Sequence, residues 1–357
     1  MRVLQLIDTL DAGGAERMAV NLANASVNHA YTGYICATRR GGILESAIHQ
    51  EVLSCIAGKR SFHDLKALRK LLKFIKKNKI DIVHAHSTSI YTAFIIKLIR
   101  PKLKLVWHDH YGLSEFVKER PSQKILKIIS RYMSGIIACN EDLAAWAREQ
   151  LHCKEVIFLP NFVVENKDQE LTTKISGVDG KRIVCLANLR PQKNHIGVLK
   201  IFKDITLQFP DWTLHVVGKD FNDDTSASIK EYIVANHLSD TVYLYDSRTD
   251  VNAILQKMDI GVLASTSEGL PLALLEYGLA GLAVMVTNVG QCAQVVQDSG
   301  VVINNVEEEG SKTLLKLMSD VPYRSKLGTD FKNRVIQSYS ELSSVSLLIK
   351  FYHKISV

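Results

Sequence analysis

The sequence of 357 residues exceeds one ordinary domain, and two domains of about 150–180 residues each are expected. Its composition, 46% hydrophobic and 23% charged, excludes a disordered chain. Residues 1–165 hold 24 Lys and Arg against 15 Asp and Glu, and the remainder holds 20 against 22, so the first half favours an anionic partner such as phospholipid or a diphosphate-linked acceptor over nucleic acid.

Short apolar runs alternate with amphipathic segments, which is typical of parallel sheets covered by helices. In the first half the predicted strands are 3–7, 33–37, 80–85, 103–108 and 135–139. The predicted helices there are 15–25, 63–77 and 123–133. The alternation stops at 158–164, and the polar stretch 165–180 is the predicted linker.

The first loop carries Gly13 and Gly14 between a strand and a helix. Without side chains, these residues let backbone amides approach a phosphate or a sugar closely, although an ordinary strand-to-helix turn has the same pattern. Glu16 falls in the first turn of the helix, where a carboxylate is favourable in any case.

A basic amphipathic helix is predicted within 62–79. Its apolar face comprises Phe62, Leu65, Leu68, Leu72 and Ile75. Its basic residues are Lys66, Arg69, Lys70, Lys73, Lys76 and Lys77. The simple interpretation is a crossover helix with a solvated face, and the alternative is contact with anionic lipid near a lipid-linked acceptor.

Histidines cluster after two neighbouring strands. The segment LVWHDHYG at 105–112 brings His108 and His110 to the carboxyl end of a strand, and His84 and His86 end the preceding strand. We expect the first two to meet substrate and the second two to be loop or supporting residues. Metal ligation by His108 and His110 is the alternative, but the sequence shows no third ligand.

In the second half the predicted strands are 182–187, 213–217, 242–244, 260–264 and 283–287. The predicted helices there are 196–209, 226–237, 251–256 and 272–280. A final helix at 343–355, within 340–357, is apolar enough to pack back on the first domain. The sequence therefore predicts two doubly wound, Rossmann-like α/β domains, 1–165 and 166–339, with a ligand cleft at the carboxyl ends of both sheets.

Residues 259–290 form the most informative stretch. A buried strand ends before Ser265, a short loop follows, and Pro271 precedes a helix. Backbone N–H groups of Gly269, Leu270 and the residues after Pro271 are expected to bind an anion, helped by the helix dipole.

Two glutamates eight positions apart flank this predicted anion site. Glu276 is suited to accept hydrogen bonds from a ribose diol, and Glu268 is suited to hold hydroxyls of a transferred sugar. The alternative is one exposed helix carboxylate and one capping carboxylate.

The string from Glu268 to Glu276 resembles the E-x7-E motif of retaining GT-B glycosyltransferases, in particular the large family 4, or group 1. GGAE at 13–16, LPNFV at 159–163 and ANLRPQKN at 187–194 resemble three further segments of that family, in the same order. The resemblance covers nearly the whole chain. It implies a GT-B fold, with the donor bound by the second domain and the acceptor by the first.

The resemblance also implies roles for single residues. Lys193 matches the lysine that meets the donor diphosphate, which needs a cation. Asn188 stands where the family has arginine, and Arg190 is the candidate for the missing charge. His110 matches the histidine that contacts the donor sugar or acceptor, and His108 stands where threonine is frequent.

The implied activity is retaining hexosyl transfer from a UDP-, GDP- or ADP-sugar to a glycan or lipid-linked glycan, in surface polysaccharide synthesis. No cofactor is expected, and no metal, because the sequence lacks a D-x-D triplet. Alternatives are a sugar-nucleotide epimerase, a phosphorylase or a non-catalytic sugar-nucleotide-binding protein. A nicotinamide dehydrogenase is excluded because no G-x-G-x-x-G follows the first strand.

The expected cellular compartment is inferred from three features that the sequence lacks, namely a membrane-spanning run, a signal peptide and a metal-like spacing of cysteines. No uncharged apolar run approaches the roughly 20 residues of a membrane-spanning helix, and Asp8 argues against a signal peptide. The six scattered cysteines show no metal-like spacing and indicate reduced thiols. We expect a cytoplasmic protein that attaches at most peripherally to the inner face of a membrane.

Overall fold

The computed structural model describes residues 1–61, 64–110, 122–164 and 169–356. The chain divides into two compact units, the first made of Met1–Phe162 with Glu341–Val357 and the second of Val163–Ser340. Each unit contains a parallel sheet covered by helices. Within the described ranges, no helix combines the length and the apolar character needed to cross a bilayer.

The described part of the first unit contains a seven-stranded sheet in the order β3-β2-β1-β4-β5-β6-β7. Its strands are β1 Arg2–Thr9, β2 Thr32–Arg40, β3 Leu53–Ile56, β4 Ile82–His86, β5 Lys104–Asp109, β6 Gly135–Ala138 and β7 Val156–Phe158. The chain moves outward from β1 to β3 and then returns to place β4 beside β1. At such a reversal the following loops separate, and open α/β sheets bind ligands at that point.

Helices cover the first sheet. They are α1 Gly14–Ala25, α2 Leu65–Lys77, α3 Ile90–Ile99, α4 Ser122–Ile129 and α5 Glu141–Gln150. Helix α2 begins two residues after the predicted start, because the Asp64 carboxylate accepts a hydrogen bond from the Ala67 N–H at 3.0 Å and caps the helix. Leu65, predicted on the apolar face, is exposed, and Phe62 lies outside the described residues.

The last helix, Glu341–Ser356, belongs to the first unit. It buries Val345, Leu348, Phe351, Tyr352 and Ile355. Gly135 on β6 makes room for it, because a Cβ there would lie 2.4 Å from the Phe351 ring.

The described part of the second unit contains six parallel strands in the order β10-β9-β8-β11-β12-β13. They are β8 Arg182–Leu186, β9 Thr213–Val217, β10 Val242–Tyr245, β11 Ile260–Leu263, β12 Ala283–Thr287 and β13 Val301–Ile303. The order reverses between β8 and β11, so a second ligand-binding position is expected at their carboxyl ends.

The helices of the second unit are α6 His195–Thr206, α7 Asp224–Ala235, α8 Val251–Leu255, α9 Leu272–Ala280, α10 Cys292–Val296, α11 Val306–Ser319 and α12 Val321–Ser338. The final helix described above is α13. Over residues 169–180 the predicted linker is held to the second unit by hydrogen bonds. Asp250 accepts hydrogen bonds from the backbone and hydroxyl groups of Thr172 and Thr173, and Gln169 bonds the Thr249 carbonyl.

Candidate functional site

Two loops of the second unit meet where its strand order reverses. One follows β8 and includes 187–194, and the other follows β11 and includes 264–271. The Thr266 N–H donates to the Gln192 carbonyl at 2.8 Å and joins the loops. The two sequence motifs with the clearest chemistry therefore lie side by side at the carboxyl end of the sheet.

A lysine and a glutamate form the charged centre of this site. The Lys193 ammonium lies 2.5 Å from Oε1 of Glu268, and the Ser265 hydroxyl donates to the same oxygen at 2.6 Å. The Glu268 side chain is only 9% exposed and that of Lys193 22%. Because burial at this depth penalises an isolated charge, each group needs the other, or a ligand that replaces it.

Helix α9 is fixed tightly to the sheet. The Leu186 N–H of β8 donates to the Tyr277 hydroxyl at 2.6 Å. The Tyr277 ring lies against Gly261 on β11, where a Cβ would come within 2.6 Å of it. Pro271 precedes the first helical residue, as the sequence predicts, and Glu276 lies further along, partly buried. The positive end of the helix dipole thus lies beside Glu268 and Lys193.

Gly290 supports the loop that carries Glu268. Its φ is +52°, and a Cβ there would lie 2.1 Å from the Glu268 carbonyl oxygen and 2.7 Å from that of Gly269. The neighbouring Gln291 N–H donates to the Gly269 carbonyl at 3.0 Å. Only glycine combines this left-handed backbone with so close an approach. Gly290 was not predicted as a site residue, although a glycine just after a buried strand was the available signal.

Asn188 and Arg190 occupy different surroundings. The Asn188 side-chain oxygen accepts a hydrogen bond from the Lys219 N–H at 2.8 Å, so the amide braces the neighbouring loop. Arg190 is exposed, and its guanidinium carbon lies 4.7 Å from the centre of the Phe221 ring. A cation stacked on an exposed aromatic ring is held by a modest attraction and is able to turn to an anionic ligand.

The first loop of the first unit holds an acid at its helix start. Helix α1 begins at Gly14, so Glu16 lies in the first turn, as predicted. The Glu16 carboxylate folds back towards Gly13, where a Cβ would lie 2.2 Å from its Oε2, and Thr9 donates to its other oxygen at 3.4 Å. A carboxylate at this helix start repels a phosphate and favours a ligand with hydroxyl groups.

Four histidines form one cluster on β4 and at the end of β5. His84 and His86, predicted to be loop or supporting residues, are fully buried within β4 and are therefore not loop residues. His84 Nε2 lies 3.2 Å from His108 Nδ1, and His86 Nδ1 lies 2.8 Å from His110 Nε2. His110 is the partly exposed member.

The histidines are neutral near pH 7. Burial lowers the pKa of His84 and of His110 to about 3, and it holds the pKa of His86 and of His108 well below the usual value. Neutral imidazoles can bind a transition metal, and one nitrogen from each of His84, His86 and His108 lies within 4.8 Å of the others. The structure therefore brings three imidazoles together, but of the predicted ligand pair only His108 belongs to this group.

Two family profiles together match nearly the whole chain. The profile described as Glycosyltransferase Family 4 matches residues 12–167, and that described as Glycosyl transferases group 1 matches residues 168–334. The chain belongs to the group 1 glycosyltransferases. It is thus an enzyme of the hexosyltransferase type.

The glycosyltransferase has characterised relatives at low sequence identity. One from Escherichia coli, named UDP-Gal:α-D-GlcNAc-diphosphoundecaprenol α-1,3-galactosyltransferase, is 26% identical over 309 residues, which cover 81% of this chain and 79% of the relative. The O-antigen biosynthesis glycosyltransferase WbnH of E. coli is 23% identical over 94% of this chain and 96% of its own.

Solved structures show the same fold for the glycosyltransferase. HepE of Anabaena, crystallised with UDP and glucose, superposes with a TM-score of 0.82 at 15% identity over 99% of this chain and 100% of its own. WaaG, a glycosyltransferase involved in lipopolysaccharide biosynthesis, gives a TM-score of 0.70 at 14% identity over 96% of this chain and 98% of its own. The two Rossmann-like units therefore form a GT-B fold.

Proposed function

We propose that this glycosyltransferase moves a sugar from a nucleotide diphosphate to a lipid-linked glycan, with retention of anomeric configuration and without a metal ion. The observation that carries the proposal is the ion pair of Lys193 with Glu268 beside the start of α9. This arrangement supports the proposal because a sugar diphosphate is bound by a cation and a helix dipole at its phosphates and by a carboxylate at its hydroxyls.

Donor binding redistributes the contacts of this ion pair. A diphosphate brings about two negative charges, so Lys193 turns from Glu268 to the phosphates, with Arg190 as a second cation. Glu268 then accepts hydrogen bonds from hydroxyls of the transferred sugar. Glu276, further along α9, accepts hydrogen bonds from the ribose of a uridine, guanosine or adenosine nucleotide.

The chemical step breaks the bond between the anomeric carbon and the diphosphate oxygen. The electron pair leaves with the diphosphate, and positive charge builds on the sugar ring. Lys193 and the backbone N–H groups of Gly269, Leu270 and Leu272 stabilise the leaving group as its charge develops. The acceptor hydroxyl attacks from the same face, and its proton passes to a diphosphate oxygen.

The first unit is proposed to bind the acceptor. His110, with His108 behind it, is the candidate for hydrogen bonds to sugar hydroxyls. The Glu16 carboxylate, which lies against Gly13, accepts hydrogen bonds from the hydroxyls of a sugar bound near Gly13 and Gly14.

Relatives support the acceptor class and the stereochemistry. The E. coli galactosyltransferase and a Campylobacter jejuni N-acetylgalactosaminyltransferase, 26% identical over 202 residues, are both named for diphospho-undecaprenol acceptors and α-linkages. A sugar that is α-linked in its donor and α-linked in the product has kept its configuration. We extend both features to this chain, in surface polysaccharide synthesis.

Turnover in EDTA tests the proposed chemistry. With a panel of UDP-, GDP- and ADP-sugars and a diphospho-undecaprenol-linked sugar, we expect one donor to be consumed at the same rate with and without EDTA. Proton NMR of the first-formed product should show an α-linkage from an α-linked donor. Loss of activity in EDTA with rescue by Mg²⁺ would refute metal independence, and a β-linkage would refute retention.

We further propose that α2 meets an anionic membrane. Lys66, Arg69, Lys70, Lys73, Lys76 and Lys77 are exposed on it. At its end a cavity of about 780 Å³ is lined by five cations, namely Lys76, Lys79, Arg100, Lys102 and Lys104. Such a surface attracts anionic headgroups and would hold the enzyme near a lipid-linked acceptor.

Charge reversal on α2 tests this contact. The combined change Lys73→Glu, Lys76→Glu and Lys77→Glu should weaken binding to anionic vesicles at least tenfold, since each lysine contributes about 1 kcal/mol near the surface. Co-sedimentation with anionic and neutral vesicles measures the effect. The control is Lys174→Glu, Lys257→Glu and Lys312→Glu, three exposed lysines of the second unit. Equal losses in both variants would contradict a specific surface.

A further inference from the structure

The buried amide of Gln5 connects to the histidine cluster. Gln5 lies on β1, with no exposed surface, beside β4. Its oxygen is 2.8 Å from His86 Nε2, and its nitrogen is 3.5 Å from the Tyr352 hydroxyl of the last helix. An amide oxygen only accepts hydrogen bonds and an amide nitrogen only donates them, so Gln5 sets a direction for every bond that follows.

The branch through the amide oxygen leads to His110. His86 must donate from Nε2 to Gln5, and because a neutral imidazole carries one hydrogen, its Nδ1 holds a lone pair. That lone pair lies 2.8 Å from His110 Nε2, which must then carry a hydrogen. Nδ1 of His110 is consequently left without one.

We propose that Gln5 is a positioning residue that, through His86, holds His110 as the Nε2–H tautomer and leaves its Nδ1 to accept a hydrogen bond from a substrate. The proposal rests on the function proposed above for its contact with substrate. The tautomer also defines which chemical group of the substrate His110 can bind. Nδ1 binds a hydroxyl or an amide N–H, and it repels a carboxylate or phosphate oxygen, which has no hydrogen to donate.

The branch through the amide nitrogen runs away from His110. Gln5 donates to Tyr352, which donates to His84 Nδ1 at 2.5 Å. His84 then donates from Nε2 to His108 Nδ1, so His108 Nε2 carries a hydrogen. Among the described residues that nitrogen has no partner. Tyr352→Phe therefore breaks this branch alone and leaves the path to His110 intact.

A metal ion would require the opposite arrangement. The ring nitrogens that face one another in the cluster are already joined in pairs, His84 to His108 and His86 to His110. An ion bound between them would remove the hydrogens from both pairs. The effect of added Zn²⁺ on the histidine nitrogens therefore distinguishes a hydrogen-bonded cluster from a metal site.

NMR of protein with isotopically labelled histidine nitrogens tests the tautomer directly. His110 signals are assigned by their loss in His110→Gln. We expect Nε2 protonated and Nδ1 bare in the wild type and in Tyr352→Phe, and a mixture of both tautomers in Gln5→Leu, which fits a buried site of similar size. Turnover of Gln5→Leu should fall about tenfold, the worth of one misdirected hydrogen bond.

The possible results test two claims, the tautomer of His110 and the positioning role of Gln5. A protonated Nδ1 in the wild type, an unchanged spectrum in Gln5→Leu, or metal-shifted nitrogens of His84 and His108 with Zn²⁺ would overturn the tautomer assignment. The expected spectra with full turnover in Gln5→Leu would overturn the positioning role. Because the spectra need no substrate, they remain decisive even if no transfer to the proposed acceptor is found.

Discussion

Glu268→Gln is expected to lower kcat by about 10²–10³-fold, the size of effect seen when one group that stabilises a transition state is removed. The amide keeps the shape and still accepts hydrogen bonds from Ser265 and Lys193, so the loop stays in place. It loses the negative charge that steadies positive charge on the sugar ring. Steady-state kinetics with the natural donor measures the loss, and circular dichroism checks the fold.

The matched control is Glu307→Gln. Glu307 forms an ion pair with Lys200 at 2.8 Å in the same unit, but both side chains are at least half exposed. An exposed pair of this kind contributes little, so kcat should be unchanged. If Glu268→Gln also stayed within about threefold of the wild type, Glu268 would have no part in the transition state.

Gly290→Ala should greatly weaken donor binding. The added methyl group would overlap the Glu268 carbonyl, and φ of +52° strains any residue other than glycine. The loop must therefore move and carry Glu268 away from Lys193. We expect the free energy of unfolding to fall by about 1–3 kcal/mol and donor affinity to fall with it. Thermal unfolding and calorimetric titration of the donor measure the two effects.

The control Gly180→Ala distinguishes the effect of backbone strain from the effect of moving the loop that carries Glu268. Gly180 has a φ of +83° in the same unit, and nothing lies within 4 Å of the Cβ position. The substitution therefore costs stability through backbone strain while donor affinity stays at the wild-type value. A donor affinity of Gly290→Ala equal to that of Gly180→Ala would show that the 290 turn does not position Glu268.

Two inner strands of the second sheet were predictable in full because they are buried on both faces. The strands 213–217 and 283–287 were predicted with their observed bounds, and each residue in them is buried. Continuous apolar runs of this kind leave a strong pattern. The prediction of two doubly wound units followed from the alternation of such runs with amphipathic segments in both halves of the chain.

Of the four outer strands, β10 was predicted at 242–244, and the other three were missed for the opposite reason. β3 Leu53–Ile56, β7 Val156–Phe158 and β13 Val301–Ile303 end their sheets, are short, and are mostly partly exposed. An edge strand needs neither a fully apolar run nor a strict alternation, so its pattern resembles that of a loop. Helices α3, α5, α10, α11 and α12 were also missed.

The candidate site was predictable where residues lie close in sequence. Glu268, Pro271 and Glu276 belong to one loop and helix, and their order already indicated an anion site. The contact of Lys193 with Glu268 and the fit of Gly290 against the same loop join distant segments. Neither appears in local spacing.

The histidine cluster could not be predicted from the sequence either, because it joins residues from different strands. His84 and His86 lie beside His108 only because β4 and β5 pair with His86 opposite His108. Gln5 and Tyr352 join from β1 and the last helix. Pairing register and the return of a distant helix are tertiary facts, and no pattern in a single segment contains them.

A crystal structure with bound UDP or GDP tests the central claim most directly. We expect the diphosphate at the start of α9, with the Lys193 ammonium turned from Glu268 to the phosphates and the Glu276 carboxylate on the ribose. A nucleotide bound away from this helix, with the Lys193–Glu268 pair intact, would contradict the account.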